Sequence, residues 1–293
     1  MRWLLAGTLL VLGLVVPSTS QAGDDLFAIA GSPVYSPRYT VSKFGVNTDI
    51  DDTEESLWDL DDIVASGTGP DRCFTVMGTT PAALYISSSD ESDASDGAKP
   101  ISVTIEALDS TWAPVTIVTA LGAASAGGSV FKQVGSVTLL RINRMYVSGV
   151  NPALGNIFVG TDPTDGGTDG IPETPSLAGA LVAGISIGEN QTLQACYTVP
   201  LGYNAYMTSW AISNEGTGAT TLVTRIRKST NGATSRTQMK MTLSDGDVHD
   251  HHGVFPTVFP EKTDIELTGS GATSQDAAGL FDMVLISNTL SGL

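Results

Sequence analysis

The feature that most constrains this chain is a run of short β-type segments cut by turn residues, clearest at Cys196-Tyr197-Thr198-Val199, Pro200-Leu201-Gly202 and Ala205-Tyr206-Met207-Thr208-Ser209-Trp210. β-Branched and aromatic residues suit a pleated, half-buried surface, and Pro with Gly forces a turn between two strands. The pattern is echoed at Cys73-Phe74-Thr75-Val76, followed by a small-residue turn and Leu84-Tyr85-Ile86-Ser87. That echo predicts two similar β units, with an internal duplication as one origin for them.

The rest of the chain repeats the theme. Residues 103–108 and 115–121 flank Asp109-Ser110-Thr111-Trp112-Ala113-Pro114, which has hairpin-like turn chemistry. The longest predicted strand covers residues 137–147, and another covers 156–160. Segments 222–227 and 237–243 predict a hairpin around Asn231-Gly232, a strong two-residue turn signal. Polar, turn-rich loops are expected at 87–100 and 161–175. Turn signals at short, regular spacing argue for a sandwich or jelly roll. The expected fold is therefore all-β: an extended arm over 23–42, then two antiparallel, jelly-roll-like β-sandwich units over 43–150 and 151–293.

Arg2, an apolar run over residues 3–16, Pro17 and Ser20-Gln21-Ala22 read as a cleavable signal peptide over residues 1–22. The run is short of the roughly 20 apolar residues a membrane span needs. The alternative is a retained hydrophobic arm. A signal places the chain outside the cell, and no later segment is apolar enough to cross a bilayer. The formal net charge of -17 repels phosphate backbones, which argues against nucleic-acid binding. Cys73 and Cys196 occupy matching places in the two expected units. Matched positions in separate sandwiches usually lie far apart, so two buried free thiols are favoured over a disulfide.

The sequence offers two kinds of candidate site. The acidic run from Asn47 through Asp49, Asp51, Thr53 and on to Asp62 offers carboxylates to calcium, but it lacks the EF-hand glycine and terminal acid. It reads instead as a solvated loop anchored in the core by Leu57 and Trp58. Asp162, Asp165, Asp169 and Glu173 follow no ligand spacing rule. His249, His251 and His252 are the chain's three histidines, with Asp245, Asp247 and Asp250 beside them in a Gly/Asp loop. His249, His251, His252 and Asp250 are the candidate metal ligands, for zinc or another divalent ion, because imidazole with carboxylate suits such metals. No nucleophile elbow, phosphate loop or paired catalytic carboxylates are present, so neither an enzyme nor an obligatory cofactor is expected.

The segments Lys43-Phe44-Gly45, Asp49-Ile50, Leu57-Trp58, Leu84-Tyr85-Ile86-Ser87-Ser88-Ser89-Asp90, Val103-Thr104-Ile105-Glu106-Ala107-Leu108-Asp109 with Trp112, and Arg141-Ile142-Asn143-Arg144-Met145-Tyr146-Val147 resemble a family of tailed-phage virion proteins. Asn190-Gln191-Thr192, Tyr197-Thr198-Val199-Pro200 with Gly202, and Phe259-Pro260-Glu261-Lys262-Thr263-Asp264-Ile265 continue it, so it spans roughly residues 43 to 287. Members are described as structural, head-decoration or tail-fibre proteins. The resemblance implies a β-rich, non-enzymatic block that assembles with copies of itself and with other particle proteins. The secretion signal departs from that pattern, because virions assemble in the cytoplasm. An exported particle or filament subunit satisfies both observations. The competing reading is a secreted adhesin or carbohydrate-binding sandwich, which needs an aromatic platform from Trp58, Trp112 or Trp210.

Overall fold

The computed structural model describes residues 38–288 apart from 59–71, 75–76, 126, 162–180, 216–220, 231–233 and 273–274. The expected signal peptide, arm residues 23–37, Asp162, Asp165, Asp169, Glu173 and the Asn231-Gly232 turn lie outside the described residues.

The described strands are β1 (Arg38–Ile50), β2 (Glu55–Ser56), β3 (Tyr85–Ser88), β4 (Ser102–Asp109), β5 (Pro114–Ala120) and β6 (Ala124–Ser125). Next come β7 (Gly128–Ser129), β8 (Lys132–Gln133), β9 (Leu139–Ser148), β10 (Ile157–Gly160), β11 (Leu181–Ile185) and β12 (Cys196–Thr198). The chain continues with β13 (Tyr203–Asn214), β14 (Leu222–Thr230), β15 (Arg236–Leu243), β16 (Val248–Phe259), β17 (Thr263–Ser270) and β18 (Gln275–Ser287). The fold is all-β, and every strand pairing is antiparallel.

The strands form several small sheets: β1-β18-β13-β16, β12-β17-β14-β15 with β2 added on β17, β11-β10-β3-β8, β5-β4-β9 and the ribbon β6-β7. The first two sheets contribute to one core, in which Trp210, Phe281 and Met283 meet Ile226, Ile265 and Leu267. The β5-β4-β9 and β11-β10-β3-β8 sheets contribute to a second, containing Ile105, Met145, Ile86, Ile157 and Val182. Residue 150 does not separate these sheets. β1 and β2 join strands that follow residue 195, and β10 and β11 pair into the sheet of β3. The arm expected over 23–42 gives its last residues, 38–42, to β1, whose whole length runs along β18.

Local pattern explains the strands. In β18 Ala277, Gly279, Phe281, Met283 and Leu285 face inward and alternate with Asp276, Leu280 and Asp282, the period of two that puts successive side chains on opposite faces. Gly45 is required by a close approach: a Cβ there would stand 2.0 Å from the Leu57 carbonyl oxygen. Gly202 ends the Pro-Leu-Gly turn at φ +84, which favours glycine. The polar loop after β3 is organised from inside by buried Asp93, which accepts from the amides of Leu154 at 2.9 Å and Gly155 at 3.0 Å and from the Ser88 hydroxyl at 2.7 Å. Leu57 and Trp58 are buried, as their expected anchoring role requires.

The cysteines correct an expectation. They are not two free thiols: Cys73 and Cys196 form a disulfide, with Cα atoms 6.5 Å apart. Cys73 lies on a turn rather than on a strand equivalent to β12. That turn is drawn to β17, because Arg72 pairs with Glu266 and the Cys73 amide donates to Ser56 Oγ at 3.1 Å. Cys196 lies opposite the same Glu266 in the β12–β17 register, so one residue of β17 brings both sulfurs together.

Candidate functional site

β17 is the strand from which the polar interior is built. Its inner face places Ile265 and Leu267 in the first core, while Asp264, Glu266 and Thr268 on the opposite face are also buried. Burying such groups is costly unless they are paired. Asp264 is held by Arg141 of β9, Glu266 by Arg72 and the Ser56 hydroxyl at 2.8 Å, and Thr268 donates to Glu54 at 2.7 Å. Arg141 also gives two 2.7 Å bonds to the carbonyls of Met77 and Gly78, and its guanidinium lies 5.2 Å from the centroid of the Trp112 ring.

Thr198 connects this node to a second polar group. Its hydroxyl donates to Asp264 Oδ1 at 2.6 Å, while its backbone pairs on both sides with the Asn143 amide. Asn143 Nδ2 donates to the Thr198 carbonyl at 3.0 Å, and the Thr198 N–H donates to Asn143 Oδ1 at 2.8 Å. Lys43 of β1 reaches the same residue, its Nζ donating to the Asn143 backbone oxygen. Lys43 is 6% exposed and Asn143 7%. Burial foremost and the Arg144 charge second bring the Lys43 amine down to about 7, with Glu106 partly opposing both.

Two clefts open beside Lys43. The first, about 600 Å³, is lined by Lys43, Phe44, Arg144, Gln191 and Asp282 among others. The second, about 370 Å³, is lined by Lys43, Glu106, Asn143, Arg144 and Tyr197 among others. Arg144 is oriented by a 2.9 Å bond to Gln191 Oε1 and by the Tyr146 ring, 4.9 Å from its guanidinium carbon. A desolvated amine beside a cleft marks a place where chemistry or binding can occur. Sequence reading assigned Lys43, Glu106 and Asn143 no role, since no local motif links residues separated by 100 positions.

The histidines occupy a strand, not the expected Gly/Asp loop. The turn around Gly246 ends before them, and β16 pairs His249 with Ile212, Asp250 with Ala211, His251 with Trp210 and His252 with Ser209. Successive side chains of a strand alternate faces, which divides the four expected ligands. His249 and His251 lie over Trp210, with ring centroids at 5.0 and 5.6 Å, while His252 pairs with Asp250 at 3.2 Å. Among the described residues no three His, Cys, Asp or Glu side chains converge to hold a metal ion. Trp58, Trp112 and Trp210 are all buried, so they form no exposed platform.

The outer face of the β1-β18-β13-β16 sheet carries apolar pairs on either side of a polar row formed by Ser42, Asp282, Ser209 and His252. Phe44 pairs with Leu280 and Leu280 with Ala211; Val46 pairs with Ala278; Val284 pairs with Tyr206 and Tyr206 with Val258. Phe44 is 45% exposed and Val258 47%. Phe255 of β16, 88% exposed, instead lines a cleft with Trp210, Ile226 and Phe259 of the first core. No helix among the described residues is long and apolar enough to cross a membrane.

The fold and its site thus define an all-β chain with a polar, cross-braced interior and exposed apolar pairs on one outer sheet face. No family model matches the chain, and no curated protein does. Among solved structures it is similar to naturally occurring empty particles of cowpea mosaic virus, at 9% identity and TM-score 0.21, covering 69% of this chain and 82% of that one. It is also similar to the infectious bursal disease virus Gx strain structure, at 10% identity and TM-score 0.23, covering 86% and 73%. A third is the CBM22-1-CBM22-2 tandem domain of Xyn10C from Paenibacillus barcinonensis, at 13% identity and TM-score 0.21, covering 87% and 95%. TM-scores this low do not define a common topology.

Proposed function

We propose that this chain is a non-enzymatic structural protein that assembles with copies of itself, as a phage-like virion component or as an exported particle or filament subunit. In this reading the paired sheets act as jelly-roll-like sandwiches. The observation that carries it is the outer face of the β1-β18-β13-β16 sheet, where Phe44 and Leu280 stand side by side and solvent-exposed. Large exposed apolar side chains clustered on one face and rimmed by polar residues mark interaction sites. Among the described residues β1 and β16 end the order of that sheet, and an open sheet edge invites a further strand. A second copy supplies both a matching apolar face and matching edges, the self-complementary arrangement of symmetric assemblies.

The net charge of -17 opposes close approach of copies, so assembly strengthens with ionic strength as repulsion is screened. The test is light scattering of the purified chain across a salt series. Oligomers that grow with salt support the reading. Monomers at every salt concentration overturn it and favour the adhesin reading, which a glycan-binding screen then checks.

A further inference from the structure

From the meeting of β1 with β9 we infer that Lys43 and Asn143 condense into an intramolecular isopeptide bond, joining Lys43 Nζ to Asn143 Cγ with loss of ammonia. The self-assembly reading assigns no role to either residue, and this inference does not depend on it.

Three features carry the inference. The amine is already hydrogen-bonded to Asn143, through that residue's backbone oxygen, and both side chains are almost fully buried. The Asn143 amide is held in one orientation by the two Thr198 bonds. In that orientation the Thr198 N–H points at Oδ1, the atom that gains charge when Cγ is attacked, as in an oxyanion hole. Thr198 in turn is fixed through its hydroxyl to Asp264 and so to Arg141. Finally, Glu106 lines the same cleft as Lys43 and Asn143 and provides a carboxylate for proton transfer.

The chemistry balances without an oxidant or added reactant. The neutral amine adds to Cγ and forms the Nζ–Cγ bond. A proton leaves Nζ for Glu106 and is returned to Nδ2, the Cγ–Nδ2 bond breaks, and ammonia departs through the cleft. Only a neutral amine is nucleophilic, and the low-polarity setting of Lys43, which brings its pKa to about 7, keeps a large fraction in that form near neutral pH. The product ties β1, of the β18 sheet, to β9, of the β4 sheet. It closes a loop across a sequence separation of 100 that reductant cannot open.

The test is peptide mapping by tandem mass spectrometry of the natively produced, folded chain after reduction and proteolysis. The expected result is a branched peptide joining the Lys43 and Asn143 segments, lighter by one ammonia than the sum of its parts, with no cleavage by trypsin after Lys43. Linear peptides carrying unmodified Lys43 and Asn143 overturn the proposal. Glu106→Gln, checked for folding by circular dichroism, tests the proton carrier: loss of the branched peptide supports it, and full cross-linking removes Glu106 from the step. On reducing denaturing gels the wild-type chain should migrate ahead of a Lys43→Arg chain, and equal mobility counts against the bond.

Discussion

Arg141 and Asp264 form a two-pronged ion pair inside the protein, with Nε to Oδ1 and Nη2 to Oδ2 both at 2.8 Å and both side chains nearly inaccessible to solvent. The pair ties β9 of one sheet to β17 of another. Removing one partner strands a buried charge, which typically costs about 3–5 kcal/mol. Arg141→Met and Asp264→Asn are each expected to lose that much in urea unfolding. Arg141→Met combined with Asp264→Leu is expected to recover part of the loss, because no charge is then left unpaired. A double variant no more stable than the worse single one contradicts this account of the pair.

The Cys73–Cys196 disulfide crosses a sequence separation of 123. Closing so long a loop restricts the unfolded chain, and its loss is expected to cost about 2–5 kcal/mol. Thiol titration in denaturant without reductant should find no free thiol, and Cys73→Ser with Cys196→Ser should unfold at lower urea. A titration that returns free thiol equal to both cysteines contradicts the pairing.

Glu55 is buried and, chiefly through loss of hydration, its carboxyl is pushed up to about 8 from 4.5, although Asn47 Nδ2 donates to it at 3.0 Å. Its folded pKa therefore lies above its unfolded one, so the native state holds the extra proton between those values. Stability from this group is full below about pH 4.5 and declines as pH rises toward 8. In Glu55→Gln that decline should flatten in urea midpoints measured across the interval. A slope unchanged by the substitution places the titration elsewhere.

Much of the local structure was legible from sequence, and the reason is the range over which each signal acts. The hairpin predicted over 103–108 and 115–121 is β4–β5, and the one over 222–227 and 237–243 is β14–β15. In both, the alternation and the turn residues lie within a few positions of each other. What joins β1 to β18 is written in no such window, because register between the first and last strands depends on which faces fit across the whole chain. The Cys73 echo misled for the same reason: the segment has β character, but Arg72 and Ser56 anchor Cys73 on a turn against β17. For the histidines, Asp245 and Gly246 signalled a loop that ends at Asp247, and pairing with β13 then carries the chain on as a strand. The buried site was the least legible, since Lys43, Glu106 and Asn143 meet only through sheets assembled from distant segments.

The exposed Phe44–Leu280 pair is expected to sit within an interface between copies. Phe44→Ser and Leu280→Ser should leave the unfolding free energy within about 0.5 kcal/mol of wild type, as surface substitutions do. Both should shift the sedimentation profile toward monomer. Deleting residues 23–40 is expected to do the same, leaving a folded chain; assembly unaffected by that deletion removes the arm from the interface.

The most direct measurement of the central claim is electron microscopy of native material from the producing culture, paired with N-terminal sequencing of the protein. Ordered particles, filaments or sheets built from this chain are the predicted result, with an intact Met1 marking a virion component and a start at Gly23 an exported subunit. Monodisperse monomers would contradict the account.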